Sequence, residues 1–162
     1  MHFTLILQFV ALLTLANGTP VVAKRLLGTF LNHPLDGGAV FFDGLPLFGP
    51  SKTIRGIILS IVVTTVIAPV LALDWKSGLV TATMAMAGDL LSSFVKRRLK
   101  FQSSSSATGL DQIPESLFPV LACRLMLGFS AIDIAAVVTM FLVGEIVVSR
   151  LLFKWHVRDR PF

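Results

Sequence analysis

From residue 3 to residue 23, and again from 56 to 73, the chain carries no charged side chain. As a helix each run is long enough to cross, or nearly cross, the ~30 Å hydrocarbon layer of a membrane. This narrows the fold more than any other feature. In hydrocarbon every backbone amide and carbonyl must find a partner inside the protein, which a helix achieves within itself. The rest of the chain agrees: 54% of residues are hydrophobic, 14% are charged and the mean hydropathy is +0.83, against roughly 25% charged residues in ordinary soluble domains. At 162 residues there is room for about five spans of ~20 residues and none for a separate soluble domain. The expectation is an all-α, polytopic membrane protein of one domain, residues 1–162, with spans at about 3–22, 54–73, 78–96, 115–131 and 134–153.

Charge placement orients the bundle. Lys24, Arg25, Lys52, Arg55, Lys96, Arg97, Arg98, Lys100, Arg150, Lys154, Arg158 and Arg160 fall on one side of such a five-span arrangement, and Lys76 on the other. By the positive-inside rule the N-terminus is outside and the C-terminus cytoplasmic, in an inner or plasma membrane. The first span has no basic residue before it and Lys24-Arg25 after it, the order of an uncleaved helix rather than a signal peptide. The same rule accounts for the net charge of +5 without nucleic acid. Cys123, the single cysteine, has no partner for a disulfide or a zinc site and reads as a small core residue.

Polar residues then mark one end. Asp89, Ser93, Lys96 and Arg97 are spaced so that all lie within about 80° of Asp89 on one helical face. An Asp near the end of a span is costly unless it is hydrated, paired or metal-bound, so Asp89 is either functional or salt-bridged to Lys96 or Arg97. The Ser-rich stretch 102–109 reads as a flexible linker, and Asp111 after it as a second acid or a helix N-cap. Two acids and a basic patch at one membrane face suit a divalent metal and a phosphate-bearing substrate.

Residues 28–50 lack long periodicity; Asp36-Gly37-Gly38 and Asp43-Gly44 signal turns in a loop lying against the membrane or the bundle. Ser51 is the expected N-cap of the next helix, leaving the amides of Lys52, Thr53 and Ile54 to meet an anion, with Lys52 and Arg55 adding charge. Gly44 to Thr53 is not a Walker A loop, because Pro50 and Ser51 separate Gly49 from Lys52 and no strand precedes it. Arg124 and Glu145 are expected to pair across antiparallel helices, with contact to a lipid headgroup as the alternative.

Taken together, Gly88-Asp89-Leu90, Ser93, Lys96-Arg97-Arg98 and Leu110-Asp111-Gln112, preceded by Asp43-Gly44, Phe48-Gly49 and Lys52-Thr53-Ile54-Arg55-Gly56, resemble the CDP-archaeol synthase family. The resemblance extends to the phosphatidate cytidylyltransferases, with departures: Gln112 replaces an Arg, Pro114 replaces a second Asp, and a Gly-His-Gly-Gly segment is missing. Glu115 stands one place beyond the lost acid. The resemblance implies transfer of CMP from CTP to a lipid phosphate, dependent on Mg2+, at a cytoplasmic-face active site. It implies Asp89 and Asp111 as metal ligands and, with Lys96 and Arg97, as catalytic residues. Lys52, Thr53, Arg55, Asp43 and Ser93 would bind the nucleotide. Membrane lipids surround such an enzyme, and a homodimer is compatible with its apolar faces. The alternatives are a small transporter, which would be expected to show an internal repeat that this chain lacks, and a non-catalytic membrane assembly protein.

Overall fold

In the computed structural model, which describes residues 2–103, 105, 107 and 109–154, the side chains of the last six excepted, helices carry almost all the regular structure. Helix α1 (Phe3–Leu27) is followed by the loop 28–53, α2 (Ile54–Ile67) with a 3-10 turn Ala68–Leu71, and α3 (Trp75–Arg98). Beyond the loop 99–111 come α4 (Gln112–Ala122), α5 (Arg124–Leu127) and α6 (Ala131–Lys154). The basic tail expected at the C-terminus, from residue 155 onward, lies outside the described residues.

Neighbouring helices close into a ring, α1 on α2, α2 on α3, α3 on α4, α4 on α6 and α6 back on α1, with α1 also touching α3 across it. Ile6, Phe9, Leu13 and Ala16 of α1 meet Ala82, Ala85 and Met86 of α3, Val120 and Cys123 near the end of α4, and Val137 and Phe141 of α6 in one buried cluster. Phe9 and Phe129 pack edge to face with ring centroids 5.1 Å apart. Small residues set the closest approaches, as interhelical packing in lipid favours. A Cβ on Gly56 would stand 3.1 Å from Pro20 of α1, and one on Gly78 would stand 2.7 Å from Ala68. Ser60 of α2 donates to the Ala16 carbonyl of α1 at 2.7 Å.

Four helical segments among the described residues are long and apolar enough to cross a membrane: Phe3–Leu27, Ile54–Leu71, Trp75–Arg98 and Ala131–Val148. The span expected at 115–131 takes another form, the short helices α4 and α5. Pro119 removes one amide from within α4, and Gly128, at φ +67°, ends α5. The segment nevertheless passes from one end of the bundle to the other. Its start lies against Gly88 through Pro114, its middle against Thr81 and Ser77 through Cys123, and the turn after it reaches the first residues of α1, where Asp133 accepts from the His2 amide at 3.1 Å. Residues 112–127 as helix cover about 24 Å, a short passage between the two ends of the bundle from α3 to α6. Asp133 also accepts from the Ser130 amide and hydroxyl at 3.0 and 2.7 Å, fixing the expected turn into the last helix.

Candidate active site

At the end of the bundle away from His2, helix α3 presents its last three turns between two loops. Lys52, at the close of loop 28–53, places Nζ 2.5 and 2.6 Å from the two carboxylate oxygens of Asp89. Glu115 of α4 shares a hydrogen bond with the same Asp89 and lies within electrostatic reach of Glu145 on α6 and of Lys52. The neighbour that makes this meeting possible is Gly88: a Cβ there would stand 2.4 Å from the Pro114 carbonyl oxygen and 2.8 Å from the Glu115 amide. Only a residue without a side chain lets α4 start this close to α3. Two turns further along α3, Lys96 Nζ lies 2.8 Å from Asp111 Oδ1 and donates to the Ser105 carbonyl at 2.9 Å. Arg97 donates to the Gln102 carbonyl at 2.7 Å and feels the charge of Asp111. Ser93 is buried between these two ion pairs along the helix.

Loop 28–53 is held by its own polar groups. Asp36 accepts from the amides of Gly49 at 2.9 Å, Phe48 at 3.0 Å and Gly38 at 3.1 Å. Burial pushes its carboxyl up, but those three donors outweigh burial and hold it below the usual carboxylate range. Both turn signals are realised, with Gly37, Gly38 and Gly44 at positive φ. Gly49, at φ +93°, lies against Ser103, and the Ser51 and Ser103 hydroxyls are 3.3 Å apart, so this loop meets the one after α3. The described part of the Ser-rich stretch, expected to be a free linker, is bonded: the Asp111 carboxylate accepts from the Ala107 amide at 3.0 Å and Gln112 Oε1 from the Gly109 amide at 2.7 Å. Residues 104, 106 and 108 lie outside the described residues.

Several expectations are corrected. The N-cap of α2 is Thr53, whose hydroxyl accepts from the Gly56 amide at 3.2 Å, not Ser51. The Lys52 amide donates to the Gly49 carbonyl at 3.2 Å and the Ile54 amide to that of His33 at 3.1 Å, so these amides do not form the open anion cradle. Pairing of Pro34 with Thr53 across the loop keeps the chain extended two residues longer than the N-cap pattern implies. Arg55 is buried and donates to the carbonyls of Gly28 and Phe30, bracing the end of α1 rather than facing the Lys52–Asp89 pair. Asp43 is paired with Arg98 at 2.9 Å. Arg124 is exposed beside the 128–130 turn at the opposite end from Glu145, so the expected pair between them is not formed. Asp89 is salt-bridged, but by Lys52 at the close of the loop before α2, not by Lys96 or Arg97. The proximity of Glu115 to Asp89 had two sequence signals, the glycine directly before Asp89 and the position of Glu115 one place beyond the acid replaced by Pro114.

A divalent ion suits this donor set. Two carboxyl groups sharing a hydrogen bond require a proton or a cation between them, and Asp89 and Glu115 offer hard oxygens there. No group of three or more metal-ligating side chains occurs among the described residues. Magnesium typically takes one or two carboxylates and completes its shell with water and substrate phosphate.

The pattern of the CarS-like family, CDP-archaeol synthase, matches residues 3–161. A CDP-archaeol synthase of Pyrobaculum calidifontis is 40% identical over 115 residues, 68% of either chain. One from Hyperthermus butylicus is 38% identical over 60% of this chain and 59% of its own length. One from Thermofilum pendens is 29% identical over 91% of this chain and 75% of its own. A solved intramembrane enzyme for archaeal membrane lipid biosynthesis superposes with a TM-score of 0.75 at 28% identity, covering 87% of this chain and 90% of that one.

Proposed function

The chain belongs to the CDP-archaeol synthase family, and from that premise we propose that it is a membrane-embedded cytidylyltransferase that transfers CMP from CTP to a lipid phosphate, giving a CDP-lipid and pyrophosphate. The observation that carries this reading is the convergence, at one end of the ring, of Lys52 with Asp89 and Glu115 and of Lys96 with Asp111.

A phosphate monoester is already anionic at neutral pH and needs little general-base help. The barrier lies in bringing two anions together, which fixed positive charge relieves. Lys52 approaches from the loop, and Lys96 and Arg97 from the last turns of α3, so phosphates entering between the loops meet cations on two sides. Asp89, with Glu115 supplying the acid that Pro114 lacks, would hold magnesium, which would supply charge neutralisation at the phosphate oxygens, while Asp111 would orient Lys96, two turns further along α3, towards them. Thr53 and Arg55 serve the nucleotide by fixing the start of α2 directly after Lys52, Ser93 fills the wall between the two acids, and Asp43 acts through Arg98. The lipid tails lie along the outer helical surfaces. The site end faces the cytoplasm, supported by the eight Lys and Arg side chains Lys24, Arg25, Lys52, Arg55, Lys96, Arg97, Arg98 and Lys100 gathered there.

The test uses purified protein with CTP labelled in the α-phosphate, magnesium and a panel of lipid phosphates, among them an unsaturated diether glycerol phosphate. Label in the organic phase, abolished in Asp89→Asn, is the expected result. No label with any acceptor, together with no magnesium-dependent CTP binding, would overturn the assignment.

A further inference from the structure

Residues 40–42, at the tip of loop 28–53, have no role in the chemistry above, yet they form an exposed apolar feature at the site end. Phe42 is fully exposed, Val40 is 63% exposed, and Phe41 is partly covered by α3. Phe41 stacks edge-on against Phe94 of α3 with centroids 5.3 Å apart, and Phe42 against Phe41 at 5.1 Å. Arg98 locks this arrangement. Its guanidinium lies 4.8 Å from the Phe41 ring and 4.9 Å from the Phe94 ring, and it donates to Asp43 at 2.9 Å and to the carbonyls of Leu45 at 3.2 Å and Pro46 at 2.6 Å.

The direction in which the tip projects follows from α3. Met84, Ala87 and Leu91 are exposed along this helix, and steps of three and four residues continue the same stripe through Phe94 to Arg98. In a helix long and apolar enough to span a membrane, an exposed apolar stripe on the outside of a closed ring faces lipid. A loop laid on Phe94 therefore sits on the bundle's perimeter, at the last turn before α3 leaves the bilayer. The exposed Lys24, Arg25 and Lys100 at the same end of the bundle complement anionic headgroups, and the one acid at the tip, Asp43, is neutralised by Arg98.

We infer that residues 40–42 are seated in the bilayer leaflet at the site end, where the Phe41–Phe42 step, continuous with the lipid-facing stripe of α3, forms a fixed wedge among the headgroups and upper acyl chains. The occupant of this apolar surface is the membrane that surrounds the bundle. The Asp36 bonds to Phe48 and Gly49 and the Arg98 clasp fix the tip relative to Lys52, so a lipid held beside the wedge stands next to the loop that carries that lysine. The placement is independent of which reaction the site performs.

Phe42 can be replaced without disturbing a packed neighbour other than Phe41. The full chain carrying Phe42→Cys, with the buried Cys123 left in place, is labelled with an environment-sensitive nitrobenzoxadiazole. It is then reconstituted into vesicles of phosphatidylcholine and phosphatidylglycerol, some with nitroxides high on the acyl chains. The expected result is blue-shifted emission, quenching by the nitroxide lipid and shielding from aqueous iodide, whereas the same label in Gln102→Cys is quenched by iodide. Iodide quenching at position 42 without lipid quenching would overturn the inference. So would shielding that vanishes as the protein is diluted with lipid, because the covering surface would then be a second copy of the chain.

Discussion

Lys52 and Asp89 are 37 positions apart in sequence and meet through both carboxylate oxygens, so each explains why the other is tolerated near the membrane. Replacing Lys52 by Met leaves Asp89 and Glu115 together with their principal cation removed. Turnover in the organic-phase assay should fall by about 10²-fold or more, while Lys76→Met at the far end changes nothing. Gly88→Ala forces a Cβ to within 2.4 Å of the Pro114 carbonyl. Overpacking of this kind costs about 1–3 kcal/mol, and a lowered Tm with loss of activity is expected, whereas Gly144→Ala, where a Cβ meets nothing within 4 Å, should be silent. Asp36 offers a pH test. Its carboxyl is held below the usual range, so it stabilises the fold above its unfolded pKa of about 3.9 and loses that contribution as pH falls through the lower folded value. Melting profiles of Asp36→Asn across acid pH should show a shallower acid arm than the parent; an identical arm would show that the loop does not depend on that charge.

Among the elements, α4 and α5 depart furthest from a simple span. Pro114 is accommodated in the first turn of α4, where its missing amide would have had no partner within the helix, while Pro119 leaves the Glu115 carbonyl without its usual donor. The short crossing still closes the ring because Cys123 and Val120 reach the same core as Phe9 and Phe141. Helices α1 and α2 are joined differently, through the Pro20–Gly56 approach and the Ser60 bond to Ala16. Interhelical bonds of that type contribute about 0.6 kcal/mol on average. Ser60→Ala should therefore lower unfolding stability by about that amount, measured by titration from detergent micelles, with activity retained.

For the whole molecule the decisive quantity is the number of passages between the two ends. Four long helices and the α4–α5 pair make five, so His2 lies at one end and the close of α6 at the other. A tag before Met1 should be reached by an impermeant reagent added outside intact cells, and one after Phe162 only after permeabilisation. The reverse pattern, or both tags on one side, would contradict the proposed orientation while leaving the packing of the ring intact.

Apolar runs, the charge bias between loops and the 100° spacing of Asp89, Ser93, Lys96 and Arg97 are local properties. They were enough to read an all-α membrane bundle with its polar face at the ends of α3 and around Lys52. Which charged group meets which is decided by the rotation and closeness of helices, and no window of sequence contains that information. Gly88 is the position where this matters most. By letting α4 start against α3 it puts Glu115, rather than an α3 neighbour, beside Asp89, while the strand-like pairing of Pro34 with Thr53 delivers Lys52 to the same place. The pairing expected between Arg124 and Glu145 fails on distance along the helices: Arg124 stands 7 residues before the turn near residue 131 and Glu145 14 residues after it, so in antiparallel segments they lie at different depths. The packed ring accordingly places Glu145 near Glu115, with Arg124 at the opposite end.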